Sequence, residues 1–90
     1  MAGTFVQHAT DFAVAGHAIT SMLVDDVTMC ARECVLYRNC VSFNYEYLPT
    51  AGRELPSSGM ICELNDETKD SCNEQFHKRH GYKYYERLNM

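Results

Sequence analysis

The sequence predicts an α+β fold in which one helix packs on a mainly antiparallel β-sheet. Apolar residues follow a helical period in one segment only, residues 27–34, whereas they alternate with polar residues over residues 41–47 and 82–88. The chain shows no strand–helix–strand alternation, which disfavours a parallel, nucleotide-binding sheet.

The first third of the chain is predicted to form two or three short strands. β-prone patches occur at residues 5–6, 12–14 and 17–20, and Gly16 breaks the pattern between the last two. The helix follows, beginning after Asp25 and Asp26 and running for about three turns. Either aspartate can accept hydrogen bonds from the free N–H groups at the helix start. The predicted buried face is formed by Val27, Cys30, Ala31 and Cys34.

The second half of the chain is predicted to form three more strands. Residues 41–47 alternate in polarity, and a loop that contains both prolines, residues 48–59, leads to a short strand at residues 60–64. A polar, turn-rich segment, residues 65–81, precedes a closing strand at residues 82–88.

Length and charge restrict the classes of function. Ninety residues form one domain, residues 1–90, whose core is thin enough to need reinforcement. The net charge of −4 argues against a nucleic-acid partner, and no apolar run approaches the ~20 residues needed for membrane insertion. The opening MAGTFVQ lacks a signal-peptide pattern, so we expect a mature or excised piece of a secreted protein.

The five cysteines indicate disulfides, as in small extracellular domains. Cys30 and Cys34 lie one turn apart on the helix, while Cys40 opens one strand and Cys62 lies in another, so bridges between helix and sheet are expected. Cys34–Cys40 is the short pairing, and Cys30–Cys62 would then join the start of the helix to a distant strand, but the sequence alone does not choose among pairings. A zinc site is disfavoured, because Cys62 and Cys72 are ten residues apart and the histidines are scattered.

The segment CARECVLYRNCVSFNYEY, followed after a loop by ICELN, resembles the core of the PAN/apple domain in the form found in extracellular proteins of marine invertebrates. The resemblance rests on C-x3-C-x5-C and extends to the closing Tyr84-Tyr85-Glu86. It implies a helix on a curved antiparallel sheet, with Cys30–Cys62 and Cys34–Cys40 as disulfides. The third bridge of apple domains in blood proteins is not matched, since neither terminus carries a cysteine.

Cys72 is left over by that pattern. Because it lies between Ser71 and Asn73 in a polar, acidic segment, we expect an exposed thiol whose pKa is not depressed. Such a thiol is expected to stay free, to pair outside this chain, or to link two copies as a dimer.

The only basic cluster is a candidate site for an anionic glycan. No acid lies between His77 and Tyr85, and the PAN/apple resemblance implies binding of sulfated or acidic glycans. The alternative is a solvated loop before the last strand. The candidate residues are His77, Lys78, Arg79, His80, Lys83 and Arg87.

The predicted function is that of a non-catalytic, extracellular adhesion module that contacts proteins or a cell surface. The alternative is a lectin-like or sulfated-glycan-binding domain that uses residues 77–83. The sequence has no phosphate-binding glycine loop, serine elbow or activated Cys–His pair, so we expect no enzyme activity, cofactor or metal.

Overall fold

The structure, a computed structural model, describes residues 4–48 and 59–88. The predicted loop at residues 48–59 therefore lies almost entirely outside the described residues. Within these ranges the elements are β1 (Thr4–Val14), β2 (Ala18–Val24), α1 (Val27–Leu36), β3 (Ser42–Glu46), β4 (Met60–Asn65), a short 3-10 helix (Asn73–Gln75) and β5 (Phe76–Leu88).

The five strands form one sheet in the order β1-β5-β3-β4-β2, and every pair is antiparallel. The helix connects β2 with β3 and packs on β2, β3 and β4, which confirms the predicted α+β fold. The first third forms two strands, each longer than the predicted patches. β1 has register shifts at Gln7/Ala9 and at Thr10/Phe12, and such bulges bend an antiparallel strand and increase its twist.

Asp26 is the residue that begins the helix. Its Oδ1 accepts a hydrogen bond from the backbone N–H of Met29 at 2.9 Å, which satisfies one of the free donors of the first turn. The predicted face is the buried one: Cys30 and Cys34 are fully buried, and the other two residues of that face pack against the same cluster.

Apolar side chains pack on both faces of the sheet. On the helix side, Phe43 stacks on Tyr85 with ring centroids 4.8 Å apart. Tyr84 immediately precedes Tyr85 in β5 and therefore points to the opposite face, where it packs with Val14 and Cys72. The centre of β5 is thus covered on both sides.

The closing strand starts at Phe76 rather than at Tyr82. The basic residues 77–80 therefore lie in a strand and not in the loop of the alternative prediction, although all four are exposed, as that alternative expected. Pairing with β1 is the reason, since the register continues through His77, which lies opposite Ala13. Main-chain hydrogen bonds do not depend on side-chain polarity, so a polar segment can extend a sheet.

Candidate binding surfaces

Two disulfides join the helix to the segments that follow it. Cys30 is bonded to Cys62 in β4, and Cys34 is bonded to Cys40, just before β3. These are the pairs that the PAN/apple resemblance implies. All four residues are buried in the cluster between helix and sheet, so the bridges fix the helix against the sheet at two points one turn apart.

Cys72 is buried, and the expectation of an exposed thiol is wrong. Only 7% of the residue is exposed, and it packs with Val14 and Tyr84 on the face of the sheet opposite the helix. Its neighbours Ser71 and Asn73 are exposed. The polarity of the segment therefore belongs to the flanking side chains, while the cysteine points inward.

The Cys72 thiol is held in its protonated form. Its Sγ donates a hydrogen bond to the Thr68 carbonyl at 3.0 Å. Burial, together with the nearby carboxylates of Glu67 and Asp66, raises the pKa of the thiol, in the direction consistent with the sequence prediction. A disulfide between two copies requires an accessible sulfur, which Cys72 does not provide.

Among the predicted basic residues, Arg79 forms an ion pair with a carboxylate of its own chain, although its side chain is 42% exposed. Its Nη1 lies 3.1 Å from Oε1 of Glu63, and its Nη2 donates to the Tyr82 hydroxyl at 3.1 Å. The guanidinium carbon also lies 3.9 Å from the centroid of the Tyr82 ring. Glu63 in turn accepts a hydrogen bond from Asn44 at 2.9 Å. The charge of Arg79 is therefore balanced before any ligand arrives.

Asp11 lies at the second bulge of β1, with a left-handed φ of 64°. Its Oδ1 accepts hydrogen bonds from the Gly81 N–H at 2.9 Å and from the Tyr47 hydroxyl at 2.8 Å. Gly81 has a φ of 91°, and a Cβ at that position would lie 2.6 Å from the Leu48 carbonyl oxygen, so glycine is required there. The carboxylate thus ties β1 to β5 and to the end of β3.

Two of the predicted basic residues lie near this carboxylate, and a third lies over the ring of Tyr47, whose hydroxyl is hydrogen-bonded to it. His80 Nδ1 lies 3.8 Å from Asp11 Oδ1, and Lys83 Nζ lies 4.8 Å from the centroid of the Tyr47 ring. The hydrogen bonds from Gly81 and Tyr47, and then the charges of His80 and Lys78, hold the pKa of Asp11 below its usual value. We name this group the Asp11 surface; it consists of Asp11, Tyr47, Lys78, His80 and Lys83.

The other two predicted residues do not belong to the Asp11 surface. Arg87 Nη1 donates to the Cys40 carbonyl at 3.5 Å, beside the Cys34–Cys40 disulfide. His77 is exposed and forms no ion pair with any residue in the described ranges. The six predicted residues are therefore distributed over several environments and do not form a single cationic patch.

A second exposed feature lies at the end of the helix. We name residues 36–39 the helix-end loop; it begins with the last helical residue, Leu36. Leu36 is 71% exposed and Tyr37 is 40% exposed, and the next two residues are exposed as well. No carboxylate among residues 4–48 and 59–88 forms an ion pair with Arg38. The loop therefore presents an aliphatic, an aromatic and a cationic side chain in succession.

The backbone of the helix-end loop is fixed in place. The Tyr37 N–H donates to the carbonyls of Glu33 and Cys34, and the Cys40 N–H donates to the Tyr37 carbonyl at 3.2 Å. Asn39 has a left-handed φ of 75°, a conformation that asparagine tolerates better than most residues. The disulfide Cys34–Cys40 closes the turn, so the exposed side chains project from a constrained base.

Sequence reasoning missed Asp11 and Glu63 as partners of the basic segment. Neither lies near residues 77–83 in the sequence, but β1 is the neighbour of β5, and the Glu63 side chain reaches Arg79 from β4. The sequence contains one indication of the role of Asp11, since this acid interrupts the β-prone pattern at the position where the strand bulges. Glu63 left none, because an acid at an alternating strand position is typical of a solvated face.

Two absences hold for the part of the chain that the structure describes. No group of three or more His, Cys, Asp or Glu side chains is arranged to hold a metal ion. No helix there has the length and apolar character that crossing a membrane requires.

Comparison with known proteins gives one match. The family model described as the PAN domain matches residues 3–90, nearly the whole chain. No curated protein and no solved structure matches the sequence.

Proposed function

The chain belongs to the PAN domain family, and on that premise we propose that it is a non-catalytic, extracellular module that binds another protein at a cell surface or in a matrix. PAN domains are in general modules that bind proteins or carbohydrates, and they are typically extracellular. Two disulfides in a small domain are consistent with an oxidising compartment.

The helix-end loop is the observation that carries this proposal. Tyrosine and arginine are enriched among the residues that dominate protein–protein binding energy, and Tyr37 and Arg38 stand next to Leu36, the most exposed large apolar residue in the described ranges. Because the loop base is already constrained, little conformational entropy is lost when a partner binds. We infer a partner surface with an apolar pocket for Leu36 or Tyr37 and a carboxylate near Arg38.

A displayed library of random peptides tests the proposal on the immobilised, non-reduced chain. We expect enriched peptides to combine an apolar side chain with aspartate or glutamate. Leu36→Ser and Arg38→Ala should each weaken the enriched peptides by about tenfold or more, as expected for central contacts. Leu88→Ser is the matched control, because Leu88 is 41% exposed and lies outside the loop. Peptides that bind the Leu36→Ser and Arg38→Ala variants as well as the native chain would contradict the assignment.

The Asp11 surface favours a second candidate function, the binding of a sulfated glycan. Lys78 and Lys83 supply positive charge, His80 adds an exposed imidazole, and the Tyr47 ring offers an aromatic face on which a sugar can pack. Asp11 opposes this function, because its carboxylate offsets part of that charge. We therefore rank glycan binding below protein binding.

Retention on a heparin column tests the glycan candidate. Lys78→Ala and Lys83→Ala should each elute at lower salt than the native chain, since exposed charge contacts are screened over about 8–10 Å. Arg32→Ala removes the same charge from an exposed position on the helix, 66% accessible at its side chain, and serves as the control. Equal elution of the Lys78→Ala and Arg32→Ala variants would show that the column responds only to net charge.

A further inference from the structure

β2 is an edge of the sheet that is open to strand pairing. Within the described residues it pairs on one side only, with β4, and an unpaired edge is a template for another strand. The other edge, β1, is interrupted by two bulges and carries His8 and Asp11. β2 has the sequence AITSMLV, without charge or proline, and a single register shift between Ala18 and Thr20.

The exposed side chains of β2 are complementary to themselves. Ile19 is 38% exposed and Leu23 is 54% exposed, with the exposed Ser21 midway between them. If two copies of β2 pair antiparallel about Ser21, Ile19 of one copy lies opposite Leu23 of the other. By symmetry this pair occurs twice, and cross-strand apolar pairs are the units that stabilise such a contact.

The same register also places a hydrogen-bond donor opposite an acceptor. Continued one residue beyond each end of β2, it places His17 opposite Asp25 of the second copy, again twice. His17 Nδ1 lies 3.8 Å from Asp66 of its own chain, which leaves Nε2 to donate to the carboxylate of the second copy. No like charges face each other along the pairing, because β2 itself contains none.

We propose that β2 pairs with β2 of a second copy of this chain, antiparallel and about a two-fold axis at Ser21. The contact joins two five-stranded sheets into one continuous sheet. It is isologous, so it closes at the dimer and does not propagate. The surface is separate from the helix-end loop, so the inference does not depend on the proposed protein partner.

Sedimentation velocity of the non-reduced chain tests the proposal over a range from about micromolar to about millimolar concentration. We expect the mass to rise from 10.3 kDa towards twice that value as the concentration increases. Leu23→Lys should lower the association constant by at least about tenfold, because a lysine on an edge strand opposes pairing. Leu48→Lys is the control, since Leu48 is 46% exposed and lies outside β2.

A charge exchange tests the register itself. His17→Glu places a carboxylate opposite Asp25 of the second copy and should weaken the dimer, while His17→Glu combined with Asp25→Lys should restore it. Circular dichroism establishes whether each variant is folded. If the Leu23→Lys variant does not fold, the two charge-exchange variants are sufficient to test the proposal. A monomer at all concentrations would overturn the proposal. A dimer whose association constant is unchanged by Leu23→Lys would also overturn it. So would a double variant that associates no more strongly than the His17→Glu variant alone.

Discussion

At the scale of single residues, the two cores of this small protein are made by different chemistry. On the helix side, two disulfides pack together with Val24, Phe43 and Leu64, whereas the buried residues on the opposite side are a free cysteine, a tyrosine and a valine. Cys72 behaves there as a small apolar residue whose weak donor is satisfied by Thr68. A buried thiol with a raised pKa is a poor nucleophile, since the thiolate is the reactive form.

We therefore predict that Cys72 resists thiol reagents in the native state. Labelling with a maleimide, followed by mass spectrometry, should be at least about tenfold slower in the folded protein than in urea, because the thiol is buried and protonated. The control is Ser71→Cys in a Cys72→Ala chain, which moves the thiol to an exposed neighbouring position and should label rapidly. Equal rates for native and unfolded Cys72 would contradict its burial.

Asn44 is the second residue with an individual role. Its side chain accepts a hydrogen bond from the Val14 N–H at 3.0 Å and donates to the Val14 carbonyl at 2.8 Å. Asn44 is fully buried and Val14 is 1% exposed. The amide thus pairs with the end of β1 as a neighbouring strand would.

Asn44→Ala should lower the free energy of unfolding by about 2–3 kcal/mol, because it leaves a buried N–H and a buried carbonyl without partners. Urea unfolding monitored by circular dichroism measures the change. Asn73→Ala, at an exposed position, should stay within about 0.5 kcal/mol of the native chain. A loss at Asn44 no larger than that at Asn73 would show that water replaces the amide.

At the scale of elements, the helix offers a matched pair of aspartates. Only Asp26 caps the helix start, although Asp25 carries the same charge next to it. Asp26→Ala should lower the free energy of unfolding by about 1 kcal/mol more than Asp25→Ala does, because both lose one charge but only one loses the cap. Equal losses from thermal or urea unfolding would attribute the effect to charge alone.

The two disulfides should differ in what they contribute. In the chain-entropy model, the bridge across 32 residues contributes about 4 kcal/mol and the bridge across 6 residues about 2 kcal/mol. Replacing Cys30 and Cys62 by alanine should therefore destabilise the protein more than replacing Cys34 and Cys40. Urea unfolding of the two double variants compares them, and the reverse order would show that strain or residual structure outweighs loop entropy.

The elements that were predictable are those fixed by local pattern. The helix follows from a period of apolar residues and an aspartate cap, both within a dozen positions, and the strand at Ser42–Glu46 follows from alternation. The start of β5 was not predictable, because it depends on pairing with β1, more than 60 positions earlier in the chain. The Asp11 surface was missed for the same reason, since Asp11 is brought to Gly81 by that pairing.

At the scale of the whole molecule, the rigid core between helix and sheet and the exposed helix-end loop lie on the same side of the sheet. Covalent bridges and aromatic stacking hold the helix side, and the helix-end loop projects from it. The β2 edge lies at the other end of the sheet from the β1 edge and is independent of that loop. A dimer through β2 would carry two helix-end loops, so a partner with repeated sites would be bound with avidity.

Ionisable groups of the folded protein make its free energy of unfolding depend on pH, and this dependence differs between the acidic and the alkaline side. Burial is the main cause that raises the pKa of Tyr45, Tyr84 and Tyr85, while the hydrogen bond to Asp11 is the main cause for Tyr47. Asp11 shows the opposite direction, a lowered pKa. A group with a raised folded pKa contributes stability that is complete below its unfolded pKa and is lost as pH rises through the folded value.

For a Cys72→Ala chain, in which the raised pKa of the thiol no longer contributes, we therefore predict a free energy of unfolding that is level near neutral pH and declines above about pH 9–10, where unfolded tyrosines begin to ionise. The lowered pKa of Asp11 adds a smaller decline below about pH 4, where its unfolded carboxylate becomes protonated. Urea unfolding at about pH 7, 9 and 10.5 measures the decline of the free energy of unfolding at alkaline pH. The measurement uses a Cys72→Ala chain so that no thiolate exchanges with the disulfides.

Tyr84→Phe should make that alkaline decline shallower, because Tyr84 is fully buried and its raised pKa contributes most. This variant also loses the hydrogen bond from Tyr84 to Glu86 at every pH, so the change of stability with pH, not the stability at neutral pH, is the quantity that decides. An alkaline decline as steep in Tyr84→Phe as in its parent would show that the buried phenol is not its source.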